Sequence, residues 1–103
     1  MKKSDIMRNL LSVISEVVEI EASEILSLDK SEHIVDARHM LIVLLFEVGF
    51  YPEEISKLIG CTKRNVNGVI CNFSKRCKAR KMLRINYEII KNKIGIKSLN
   101  KYS

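Results

Sequence analysis

A chain of 103 residues with 47% apolar and 29% charged residues is long enough for one hydrophobic core, and its composition excludes a disordered or fibrous protein. The longest apolar run, Met40 to Phe46, is far too short to span a bilayer, and Asp5, Arg8, Asn9 and Ser12 break up any secretory apolar region, so a cytoplasmic protein without a membrane partner is expected. The net charge of +6 conceals a division of sign: residues 1–60 hold six Lys or Arg against eleven acids, whereas 61–103 hold twelve against Glu88 alone.

Apolar residues recur at helical period from end to end, so an all-α fold of about six helices is predicted, as a single domain over 1–95. Ser4 is placed to cap a first helix, with Asp5 in its first turn. Its apolar stripe is Ile6, Met7, Leu10, Leu11, Val13, Ile14, Val17 and Val18. That stripe either builds the core or forms the seam of a homodimer. A short second helix is expected over about 22–27, followed by a polar loop over 28–33. Asp36 opens a third helix to about Val48, apolar nearly all round and therefore central. Gly49 ends it. Pro52, with Glu53 and Glu54 behind it, starts a short fourth helix that closes at Gly60. Thr62 caps a fifth. A sixth, about 81–94, carries Leu83, Tyr87, Ile90 and Ile94 on one stripe, and Gly95 ends it. Residues 96–103 read as a flexible tail.

The fifth helix lies in GCTKRNVNGVICNFSKRCKARK, residues 60–81, which hold seven Lys or Arg and no acid. Val66, Val69, Ile70, Phe73 and Cys77 fall on one stripe at steps of three and four, anchoring the helix by one face. Lys63, Arg64 and Asn67 project from its first turns, and Lys75, Arg76, Lys78, Arg80 and Lys81 cluster about its end. Together with the fourth helix this fits a helix-turn-helix over about 52–79: Ile55 and Ile59 apolar, Ser56 small at the crossing, Gly60 at the turn, Val66 and Val69 as anchors. Lys or Arg can fork onto guanine and Asn onto adenine, so the start of the fifth helix is competent to read a major groove. Lys75, Lys78 and Arg80, farther along, are expected at phosphates. The alternative is a helical protein-interaction module with a solvated basic face.

Catalysis is not expected. Cys61, Cys71 and Cys77 are odd in number and form no CxxC. His33 and His39 pair with no Cys or Ser in any motif. Neither metal nor cofactor is called for, and no small-molecule substrate site is evident.

From about Glu16 to Ile94 the chain resembles the C-terminal DNA-binding domain of the bacterial replication initiator DnaA. The likeness rests on Glu24-Ile25-Leu26-Ser27, then ARHMLIVLLFE, PEEISKLIG, TKRNV and LRINYEIIKNKI. It implies a Trp-repressor-like helix-turn-helix that binds double-stranded DNA in replication or transcription control. Arg38 falls on the family's arginine that reaches the minor groove. Thr62, Lys63, Arg64 and Asn65 fall where the family carries Asp-His-Thr-Thr, and of that signature only the following Val66 is kept. The loop before the third helix is basic in the family but holds Asp29 and Glu32 here. No GxxxxGK[ST] phosphate loop occurs, so the family's ATPase activity is not implied.

Overall fold

The computed structural model describes residues 3–27 and 29–95; the tail expected over 96–103 lies outside them. Among the described residues there are six α-helices and no strand: α1 (Lys3–Val18), α2 (Ala22–Ile25), α3 (Glu32–Glu47), α4 (Pro52–Ile59), α5 (Lys63–Ala79) and α6 (Lys81–Ile94). The all-α expectation holds.

The apolar run in α3 dictates the arrangement. Met40 to Leu45 are all buried, and so are Ile34 and Ala37. A helix apolar on every side must be covered on every side. Accordingly α1, α2, α4 and α5 all pack on α3, and α6 closes the bundle against α1 and α5. Leu10, Leu11 and Ile14 of α1 are buried, and Ile6, Met7, Val13, Val17 and Val18 pack against the same core. The stripe of α1 therefore serves its own chain's interior.

Two expected helix starts are corrected. Helix α1 already includes Lys3, so Ser4 lies inside it and is not its cap. Helix α3 begins at Glu32, four residues before Asp36. Its entry is set by Asp29, whose Oδ1 accepts from the Ser31 N–H at 2.7 Å. The resulting Asx turn aims the Ser31 carbonyl at the Ile34 and Val35 N–H groups. Asp36 thus lies a full turn into the helix, only 7% exposed, with a different task.

The α4–turn–α5 unit forms for local reasons. Pro52 supplies the first helical φ. Glu54 Oε1 accepts from the Tyr51 N–H at 2.8 Å, while its Oε2 pairs with Lys3 and so ties α1 to α4. Gly60, at φ +85°, takes the left-handed cap that lets both its own N–H and that of Cys61 reach the Ser56 carbonyl, at 2.9 and 3.0 Å. Ile55 and Val66 both belong to the core, with no exposure, each contributing about 1.5–3 kcal/mol by burial. Ser56 is buried at the crossing and donates its hydroxyl to Glu53 O at 2.7 Å, so its smallness costs no unpaired polar atom.

Candidate nucleic-acid interface

Thr62 holds the first turn of α5 in place: its Oγ1 accepts from the Asn65 N–H at 3.0 Å. Val66, Val69, Phe73 and Cys77 are buried and fix the helix's rotation. With about 100° per residue, that burial turns Arg64, Asn67, Cys71, Lys75 and Lys78 outward on one stripe, at steps of three and four. All five are exposed. Lys63 and Asn65, also exposed, flank the stripe on either side. Among the described residues none of Lys63, Arg64, Lys75 and Lys78 meets an acid. Seven of the nine residues singled out from the sequence (Thr62, Lys63, Arg64, Asn65, Asn67, Lys75, Lys78) are therefore gathered on one helix and its cap.

The other two are turned inward. Arg80 caps the end of α5, and its Nε donates to Asp36 Oδ2 at 2.6 Å while its Nη1 pairs with Glu32 Oε2 at 2.7 Å. Arg76 joins the same clasp, Nε to Asp36 Oδ1 at 2.9 Å. Both oxygens of a buried carboxylate are thus taken by arginines of α5 and its end, which locks α5 onto α3. Arg80, expected at phosphates, is thus not a free cation in this structure: it is engaged with the buried Asp36 carboxylate and with Glu32. Arg38, half-buried, donates Nε to Ile25 O and Nη2 to Asp29 O, both at 2.9 Å. It pins the end of α2 and the following loop to α3.

Beside the stripe, α5 and α3 enclose a shallow notch of about 360 Å³ edged by His39, Asn65, Gly68, Asn72 and Arg76. Asn72 Nδ2 donates to Gly68 O at 2.9 Å. Gly68 has ordinary helical φ, and a Cβ built on it meets nothing within 4 Å. Packing therefore does not require a glycine there. The residue went unremarked in the sequence, although a mid-helix glycine beside a basic stripe is a readable signal. His39 lies between the two helices, and burial together with the Arg76 charge lowers its pKa from 6.5 to about 4, so it is neutral in the folded protein near pH 7.

The three cysteines are free: Cys71 exposed on the stripe, Cys61 half-buried, Cys77 buried. Burial raises the thiol pKa of Cys61 and Cys77. No helix among the described residues is long and apolar enough to cross a membrane. No protein-family model matches the chain, and no curated protein matches it.

Proposed function

We propose that the protein binds double-stranded DNA through the α4–turn–α5 unit, as a relative of the DnaA C-terminal domain acting in replication or transcription control. The observation that carries this reading is the outward stripe of α5. It offers one Asn and three Lys or Arg, none of them ion-paired with an acid among the described residues, on a helix whose rotation is locked by four buried residues. Arg64 to Lys78 spans about 21 Å at 1.5 Å per residue, against a major groove about 12 Å wide. One end of the stripe can enter the groove while the other reaches the flanking backbone. In this reading Arg64 and Asn67 meet base edges, with Lys63 and Asn65 beside them, and Lys75 and Lys78 meet phosphates. Thr62 sets the helix start. The altered residues over 62–65 imply a target sequence different from the initiator's own.

The test is selection of bound duplexes from a random pool, followed by affinity for the selected duplex, a scrambled duplex and the matching single strand over a salt series. Tighter binding to the selected duplex, with a linear fall of log affinity against log salt, supports the reading. Absence of duplex binding at low salt overturns it and leaves the helical interaction module.

A further inference from the structure

Helix α6 carries two apolar stripes. Leu83, Tyr87, Ile90 and Ile94 face the bundle: Leu83 and Ile90 are buried, and Tyr87 and Ile94 pack against the same core. Met82, Ile85 and Ile89 follow a second stripe at steps of three and four. At about 100° per residue, it lies roughly 140° round the helix from the first. None of its three residues packs against the core. Met82 is 63% exposed and Ile89 40%, and Ile85 between them is half-buried. The outer face of a surface helix is ordinarily polar. Here it is apolar, and α1 and α5, the helices on which α6 packs, leave it open.

The residues beside the outer stripe complete a heptad pattern. With Met82 and Ile89 at a and Ile85 at d, Asn92 takes the next d, Lys81 and Glu88 fall at g, and Asn86 and Lys93 fall at e. In a parallel pair of helices each g residue faces the e residue five positions on in the other helix. Glu88 of one copy then meets the partner's Lys93, twice in a two-fold pair. An antiparallel pair that set Ile85 against Ile89 would instead bring the two Glu88 side chains together. Glu88 and Lys93 are both exposed, and neither forms an ion pair among the described residues.

We propose that the outer stripe of α6 docks a second copy of this chain, as a parallel two-fold pair of α6 helices with Met82, Ile85 and Ile89 at the seam and Glu88–Lys93 pairs on both rims. Charge selects this occupant. Helix α6 is basic overall, with Lys81, Arg84, Lys91 and Lys93 against Glu88 alone, which suits an acidic partner in general. Its one acid, however, stands at the edge of the stripe, where an acidic partner is repelled and a second copy supplies Lys93. Free helices of two heptads are too short to be stable in water. The inner stripe already holds α6 helical, so association has little backbone left to order. The contact is short, 14 residues or about 21 Å, so the dimer is weak and concentration-dependent. No residue of the α5 stripe takes part, and the pairing is tested without DNA.

The experiment is sedimentation equilibrium of the full chain up to the concentration of an NMR sample, with the melting temperature as the control for folding. The unaltered protein should pass from monomer to dimer as concentration rises. Ile89→Glu, at an exposed position, should abolish the dimer and leave the melting temperature in place. Glu88→Lys and Lys93→Glu should each weaken the dimer on the order of tenfold, two attractive pairs becoming two repulsive ones. Mixing those two variants should restore association to the unaltered level, because both pairs in the mixed dimer are again of opposite sign. A protein that stays monomeric throughout overturns the proposal and leaves the stripe to a different partner. A dimer that survives Ile89→Glu also overturns it, since the contact then lies on another face. So does a dimer that mixing the two charge variants fails to recover, since the helices then do not pair in parallel.

Discussion

Asp36 and Arg80 stand 44 residues apart in the chain and 2.6 Å apart in space. With Arg76 on its other oxygen, Asp36 joins the central helix to the helix that carries the exposed basic stripe. Removing the carboxylate charge leaves two arginines facing an apolar helix. Asp36→Asn should therefore lower the unfolding free energy by about 1–3 kcal/mol, the range for charge-assisted hydrogen bonds. Arg80→Ala should lower the melting temperature without flattening the salt dependence of duplex binding. Denaturant unfolding and a salt series on each variant check both statements. If Arg80→Ala flattens the slope and leaves the melting temperature in place, Arg80 grips phosphate and the clasp is incidental.

The clasp also marks where the sequence stops being legible. Helix count and type, the central place of α3, the turn at Gly60 and the buried face of α5 all follow from local periodicity, and periodicity is written in the chain. The fate of Asp36, Arg76, Arg80 and Arg38 depends on which helices become neighbours. An arginine at a helix end reads the same whether it awaits a phosphate or covers a buried acid. Asp36 also imitated a helix cap, which displaced the expected start of α3 by a turn, while the true entry signal, Asp29 two residues before Ser31, acts through a short Asx turn that resembles any polar loop.

Glu19 takes φ +57° at the end of α1, the only non-glycine residue with positive φ among those described. The left-handed conformation costs an ordinary side chain about 1–2 kcal/mol. Ser15 Oγ, donating to Ile20 O at 2.6 Å, holds the turn in spite of it. Glu19→Gly should raise stability by about 1 kcal/mol, measured by urea unfolding. A fall would show that the Glu19 side chain contributes more than its backbone strain costs.

His39 makes stability depend on pH. Its folded pKa, about 4, lies below the ordinary value, with burial the main cause and Arg76 the next. The unfolded chain therefore takes up a proton as pH falls through about 6.5 while the folded chain does not. The contribution is complete above pH 6.5 and is lost progressively down to about pH 4. The groups facing the ring are Arg76, Arg38 and Asp36. Between about pH 7.5 and pH 5, where the carboxylates stay ionised, the melting temperature should fall, and His39→Gln should remove most of that fall. Equal slopes for the two proteins would mean that the ring is charged in the fold.

Gly68 separates the needs of the fold from those of the interface. Nothing obstructs a Cβ there, and alanine is the better helix former by roughly 0.5–1 kcal/mol. Gly68→Ala should therefore raise the melting temperature. The residue lies between Asn65 and Asn72 along the notch beside the stripe, where a duplex seated on α5 would approach the backbone closely. The same substitution should then weaken duplex binding. A variant that gains stability and keeps full affinity would show that the duplex does not approach this side of α5.

The division of labour along α5 gives the sharpest test of sequence reading. Lys75 and Lys78 lie beyond the middle of the helix, so Lys75→Ala and Lys78→Ala should weaken selected and scrambled duplexes by the same factor. Each should flatten the salt slope by about 0.9 for every phosphate it no longer neutralises. Arg64 and Asn67 lie in the first turns held by the Thr62 cap. Arg64→Ala or Asn67→Ala should cost roughly 1–3 kcal/mol on the selected duplex and much less on the scrambled one. Specificity then collapses in the second pair of variants and survives in the first. All four residues are exposed, so their removal leaves the core intact and the comparison is free of folding effects, which the melting temperature verifies. If Arg64→Ala and Lys75→Ala shift both duplexes by equal factors, α5 reads no sequence. The stripe would then be a phosphate clamp, with the turn at Gly60 serving only to hold it at the surface.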